Sequence, residues 1–216
     1  MVIAAVFVTA LVVSNIIAVR LVLITGKVLP AAIVIFPVSY LIGDVLTEVY
    51  GYRRARAVIW LGFLCNLLAV GAIWVGGLLP AAPFWKENDA AYQTILGYAP
   101  RLLLASFTAY LVGEFANSMV LARLKLATKG RWLWTRTIGS TVVGQALDSA
   151  VFITIAFAGQ APDLWGLMWV QWLAKVVWET AATPLTYAAV TWLKRRDGVD
   201  AYDRGVSLNP LGLFGR

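Results

Sequence analysis

Five carboxylates interrupt stretches of sequence that are otherwise apolar: Asp44, Glu48, Glu114, Asp148 and Glu179. An ionisable side chain at the centre of a bilayer costs about 2.5–3.5 kcal/mol on insertion scales, so such groups face a bundle interior or a water-filled path. A carboxylate there accepts paired hydrogen bonds from a ligand, balances a cation or relays a proton. Tyr40, Asp44 and Glu48 are spaced four apart and share one helix face. Asn117 and Ser118 follow Glu114 by three and four residues, with Tyr110 one turn before it. Thr141, Gly144, Gln145, Asp148 and Phe152 fall on roughly one side of a further helix, and Gln171, Lys175 and Glu179 form a stripe beside Trp178.

Local pairing accounts for two of the five acids. Glu48 lies near the inner end of its span, within reach of Arg53 and Arg54, and an interfacial ion pair is expected there. Lys175 precedes Glu179 by four residues, the spacing of an intrahelical pair. Asp44, Glu114 and Asp148 are left as acceptors in excess. Asn117 and Ser118, and Ser14 and Asn15 in the first span, suit interhelical hydrogen bonding as well as ligand binding. The spelling Gly-polar-x-x-polar recurs at Gly43–Thr47, Gly113–Asn117 and Gly144–Asp148. It fits a weak internal repeat, or glycines that let helices approach closely beside a buried polar group. Pro37 and Gly43 within one run predict a kinked or broken second span, a feature of helices that line transporter sites.

The inventory sets limits on the ligand. Carboxylates accept, Asn and Gln both donate and accept, and Tyr or Trp offer flat faces, which together suit a planar, donor-rich heterocycle. A guanine-like edge matches one carboxylate in bidentate fashion. Protons and metal cations also suit acids, but the chain has no histidine and no compact ligand motif for a transition metal, so no metal site is expected. Neither a nucleophile–base pair nor a P-loop is evident, so the chain reads as neither an enzyme nor an ATPase, and no cofactor is implied.

These side chains must be carried by membrane-spanning helices. The chain is 61% hydrophobic and 13% charged, with a mean hydropathy of +0.78, too apolar for an ordinary soluble domain. Apolar runs of about 20 residues, enough to cross roughly 30 Å of hydrocarbon, recur at 2–24, 31–50, 57–79, 100–123, 137–158 and 164–193. Their continuity argues for helices rather than barrel strands. The expected fold is therefore all-α: a polytopic membrane protein with six transmembrane helices in one bundle. Residues 1–193 form that domain and 194–216 a short, polar, partly ordered cytoplasmic tail. At 1.5 Å per residue, Asp44, Glu114 and Glu179 lie about 20 Å below the outer ends of their spans and Asp148 about 17 Å above its inner end. The acids thus converge between the midplane and the inner half, the usual depth of a transporter site.

The net charge of +7 follows topology. Arg53, Arg54 and Arg56, then Arg123, Lys125, Lys129, Arg131 and Arg136, then Lys194, Arg195, Arg196 and Arg204 mark one side. Arg20, Lys27, Lys86 and Arg101 mark the other. The positive-inside rule places both termini in the cytoplasm, and no nucleic-acid partner is implied. The first span begins at Met1 without a basic segment and reads as a retained helix. Cys65 is alone, so no intramolecular disulfide is expected. The connection 80–99 reads as a turn-rich loop, and the basic, aromatic segment Lys129–Trp134 as an interfacial anchor in contact with lipid.

Several strings carry a family resemblance. Ser14–Ala18, Phe36–Tyr52, Gly113–Ser118, Thr128–Ser140, Gly144–Asp148 and Glu179–Tyr187 resemble the queuosine precursor transporter family, also called the vitamin uptake transporter family, over nearly the whole chain. The resemblance implies a multi-pass protein of the bacterial inner membrane that imports 7-deazaguanine precursors, chiefly 7-cyano-7-deazaguanine and secondarily 7-aminomethyl-7-deazaguanine, for salvage into queuosine in tRNA. On that basis one or more of Asp44, Glu114 and Asp148 holds the guanine-type edge, Asn15, Asn117 and Gln145 complete its hydrogen bonds, and Tyr40, Tyr110 or Trp178 stacks on the ring. Lys175, Glu179 and Glu48 are then gating or charge-pair residues.

Rival readings are the substrate-capturing membrane subunit of an energy-coupling vitamin importer, an ion or proton channel, and an intramembrane enzyme. The first would have a similar helix count, but the first span lacks an Ala-x-x-x-Ala docking pattern. Glycine-rich helix faces also permit a homodimer.

Overall fold

The computed structural model describes residues 2–24, 27–97, 100–159 and 163–212. The expectation at Met1 and the tail's residues 213–216 lie outside the described residues. The fold is a helical bundle, with α1 Val2–Ile17, α2 Phe36–Tyr50, α3 Tyr52–Leu78, α4 Lys86–Leu96, α5 Pro100–Ala127, α6 Leu133–Phe157 and α7 Leu164–Asp197. Among the described residues, three helical stretches are long and apolar enough to cross a bilayer: Tyr52–Leu78, a segment within Pro83–Ala127, and Leu133–Phe157. α1 is apolar but shorter.

The burial pattern suits a lipid solvent. Leu64, Leu68, Trp74 and Leu78 of α3 and Trp165, Trp169, Leu173 and Val177 of α7 are exposed, whereas Asp44, Glu48, Glu114, Asn117, Gln145 and Asp148 are buried. Association in lipid gains little from apolar burial, so it relies on close packing and interhelical polar contacts. Phe7 and Leu11 of α1 nevertheless pack with Ile42, Leu46, Ile59, Tyr110 and Phe115 into one cluster joining α1, α2, α3 and α5. Ile3 packs against Val45, Val49, Val190 and Leu193, which brings the start of α1 and the end of α7 to the same end of the bundle.

Four features depart from the sequence expectations. The first helix stops at Ile17, and Leu21–Ile24 (β1) pairs antiparallel with Lys27–Pro30 (β2) in a two-stranded hairpin, with Leu21 opposite Pro30 and Ile24 opposite Lys27. Pro37 lies in the first turn of α2, where a missing N–H costs nothing, so it starts the helix rather than kinking it. The proline inside a helix is Pro184 of α7. Finally, the 80–99 connection contains α4, which folds back on α3 through Tyr92 Oη to Ile73 O (3.0 Å) and Gln93 Nε2 to Gly77 O (3.0 Å).

The tail is also more ordered than expected. Gly51, at φ +85°, makes the sharp α2–α3 turn, and Asp203 then caps α3 by accepting from Tyr52 N at 3.0 and 2.9 Å. A carboxylate at a helix N-terminus is favoured by the orphan N–H groups and the dipole. Arg56 donates to Asn209 O (2.8 Å) and Trp60 Nε1 to Pro210 O (2.9 Å). These bonds fasten the chain beyond α7 beneath α2 and α3.

Candidate functional site

The three Gly-polar-x-x-polar segments interlock. A Cβ on Gly43 would collide with Glu114 Oε1, one on Gly113 would meet Asp148 Cβ at 2.6 Å, and one on Gly144 would meet Asn117 Cβ at 2.7 Å. Each glycine therefore makes room for a polar side chain of another segment. α5 and α6 approach until Gly113 and Gly144 face one another, and Glu114 reaches over Gly43 onto α2. Close helix approach is thus their structural role.

Around these crossings α2, α5, α6 and α7 place a buried polar ring. Asn117 Nδ2 donates to Asp44 Oδ1 at 2.7 Å, Thr47 Oγ1 to Ser118 Oγ at 3.2 Å, and Gln145 Nε2 to Glu179 Oε1 at 3.4 Å. Tyr40 is buried, with its ring 4.9 Å from that of Phe36. Among the described residues six buried polar side-chain atoms have no protein partner: Glu114 Oε1, Asn117 Oδ1, Gln145 Oε1, Glu179 Oε2 and the hydroxyls of Tyr40 and Ser149. Four are acceptor oxygens, and leaving such a buried group unmatched costs about 1–3 kcal/mol. The complement to this set is a ligand rich in hydrogen-bond donors.

Asp44 and Glu179 also line a small cavity with Leu41, Thr137, Thr141, Ala182, Thr183 and Thr186. Its volume, about 10 Å³ for the centre of a water-sized sphere, admits a single water. A bicyclic ring requires a helix to move. Pro184 sits one turn beyond Glu179 and leaves the carbonyl of Thr180 without its helical N–H partner, which weakens α7 beside the cavity.

The charge pairs differ from those expected. Lys175 contacts Asp148 Oδ2 on α6, not Glu179, and its ammonium lies 4.7 Å from the Phe36 ring centroid. Its side chain thus crosses to the neighbouring helix. Glu48 pairs not with Arg53 or Arg54 but with Arg136 and Lys194. Arg136 Nη2 and Lys194 Nζ each lie 2.8 Å from Glu48 Oε1, and Arg136 Nε lies 3.2 Å from Oε2. Lys125 donates to Glu48 O (2.5 Å), Asp200 Oδ1 (2.6 Å) and Ala201 O (2.7 Å). The result is a cluster of charges joining α2, α5, α6, α7 and the tail at one end of the bundle.

Three other expected contacts lie apart from the ring. Asn15 accepts from Ser106 Oγ at 3.4 Å, linking α1 to α5. Tyr110 is one turn from Glu114 on α5, but its hydroxyl donates to Ile59 O at 3.0 Å and its side chain belongs to the apolar cluster. Trp178 is 46% exposed on the outer surface of α7. Sequence reasoning passed over Thr137, Thr183, Thr186 and the buried cations Lys125 and Arg136. The threonines were detectable as small polar residues at helical spacing from Thr141 and Glu179. The cations carried no local signal, because their partner Glu48 is 77 and 88 residues away.

A transport family accounts for such a lining. The model of the family described as "Putative vitamin uptake transporter" matches residues 30–189, which include the whole ring. The chain belongs to this family. A "Probable queuosine precursor transporter" of Bacillus subtilis (strain 168) is 31% identical over 183 residues, 83% of this chain and 80% of the relative. A protein of the same name from Haemophilus influenzae is 27% identical over 63% of this chain and 55% of its own length. The "Queuosine precursor transporter" of Escherichia coli (strain K12) is 30% identical over 59% of this chain and 54% of its own length. The chain therefore spans about half the length of these last two relatives. No solved structure matches. As a vitamin uptake transporter family member the chain is a multi-pass membrane transporter and not an enzyme.

Proposed function

We propose that this transporter imports 7-deazaguanine precursors of queuosine, chiefly 7-cyano-7-deazaguanine and also the aminomethyl form, across the bacterial cytoplasmic membrane. The observation that carries the reading is the set of partnerless acceptors on Glu114, Asn117, Gln145 and Glu179 beside Tyr40. A guanine-type edge supplies adjacent N–H donors to such a set, and Tyr40 offers a ring face. The names of the three relatives support the same substrate class. α1, α2, α3, α5, α6 and α7 are the six crossings, spanning residues 1–193, and the charge cluster and tail form the cytoplasmic end, where both termini lie. Loosening of α7 at Pro184 opens the site, and separation of the Glu48 cluster releases the substrate inward.

The test is uptake of labelled 7-cyano-7-deazaguanine into proteoliposomes, with and without proton or sodium gradients. Saturable, competable accumulation is the expected result. Absence of saturable uptake by correctly inserted protein under every gradient would overturn the proposal.

A further inference from the structure

Most of the ring's partnerless atoms are acceptors, and a cation stands at its Phe36 edge. There Lys175 reaches from α7 to Asp148 on α6, with its ammonium beside Phe36, whose ring in turn packs on Tyr40. Every other lysine or arginine of α3, α5, α6 and α7 lies near an end of its helix, so Lys175 is the cation at the depth of the acids. Both partners are largely buried, with side-chain exposures of 18% for Lys175 and 8% for Asp148. Charges are weakly screened in such surroundings.

A resident ammonium treats two ligand substituents in opposite ways. A neutral group with an acceptor lone pair, such as a nitrile, can take a hydrogen bond from Lys175 without disturbing its contact with Asp148. A substituent that is itself an ammonium must compete with Lys175 for Asp148 and remain beside a like charge. Repulsion of an unwanted partner is a general route to specificity. We infer that Lys175 is a specificity-determining residue, which uses its contact with Asp148 to favour a heterocycle with a neutral, acceptor-bearing substituent over one with a cationic substituent.

This inference rests on the deazaguanine reading, and one experiment separates the two. Proteoliposomes bearing wild type, K175M or K175R are presented with labelled 7-cyano-7-deazaguanine and 7-aminomethyl-7-deazaguanine, singly and in competition. Wild type should prefer the cyano compound, K175R should keep that order, and K175M should shift the ratio towards the aminomethyl compound by about tenfold, the scale on which a unit charge alters recognition. Uptake of both compounds by K175M at the wild-type ratio would overturn the inference and leave the transport reading intact. A wild-type preference for the aminomethyl compound would do the same. If K175M no longer transports, competition binding of the two compounds to detergent-purified protein reads the same ratio, and an unchanged ratio is again decisive against it. Failure of wild type to move either compound would instead remove the reading on which the inference depends. A merely structural role for Lys175 would lower both uptakes without changing their ratio.

Discussion

Arg136 grips Glu48 with two nitrogens, Nη2 on Oε1 at 2.8 Å and Nε on Oε2 at 3.2 Å, although the residues are 88 positions apart and both are buried. Arg136→Ala leaves Glu48 Oε1 facing Lys194 but strips Oε2 of its donor, so it should destabilise the purified protein by about 1.5–3 kcal/mol, the worth of a hydrogen bond to a charged group. Arg136→Lys, which retains charge without the fork, should cost less. Thermal melting in detergent measures both, and an Arg136→Ala midpoint equal to that of wild type would contradict the assignment.

The glycines of the three interlocking segments predict a graded substitution series. Gly113→Ala and Gly144→Ala each place a methyl against the neighbouring helix, at 2.6 Å from Asp148 Cβ and 2.7 Å from Asn117 Cβ, and overpacking of this kind costs about 1–3 kcal/mol. Gly43→Ala collides with Glu114 and should displace that carboxylate, impairing uptake more than stability. Gly71→Ala, where an added Cβ meets nothing within 4 Å, should behave as wild type in melting and in uptake. Equal effects at Gly71 and Gly113 would show that the crossing is looser than described.

What the sequence revealed depended on the range of the interaction. Runs of apolar residues marked α2, α3, α5, α6 and α7, and the acids inside α2, α5, α6 and α7 marked the ring, because hydropathy and helical spacing are local properties. Partner choice is not local. Lys175 has Glu179 four residues ahead on its own helix but reaches Asp148 on α6, and Arg53 and Arg54 stand near Glu48 in sequence while Arg136 and Lys194 hold it in space. Pro37 was misread, since a proline breaks a helix only if a turn precedes it, and the apolar run 31–50 also contained the short 3-10 turn Ala31–Val34 ahead of α2.

Asp200 predicts an acid sensitivity of the tail. Burial raises its pKa, but hydrogen bonds from Lys125 and Lys194 outweigh this and hold it below the ordinary value of 3.8. A carboxyl depressed in the folded state contributes stability above its unfolded pKa and loses that contribution as pH falls through the folded value. Docking of the tail should thus be unaffected from neutral pH down to about 4 and weaken below that. Asp200→Asn should reproduce the loosening at pH 7. Faster amide exchange across 198–212 in the variant is the expected outcome, and wild-type protection there would refute it.

Asp44 and Glu114 allow the acceptor ring to be tested with little change in shape. Asp44→Asn keeps the side-chain volume beside Asn117 but replaces an acceptor with a donor, and Glu114→Gln does the same against Gly43. A hydrogen bond to a charged group is worth about 1.5–3 kcal/mol, so each substitution should weaken binding of a donor-rich heterocycle by roughly 10- to 100-fold. Surface abundance should change little, because both replacements fill the same space. Binding of 7-cyano-7-deazaguanine to detergent-purified protein, alongside uptake, distinguishes lost recognition from lost movement. Wild-type affinity in both variants would remove these two carboxylates from the site and leave Glu179, whose Oε2 has no partner, as the acid to hold the ligand.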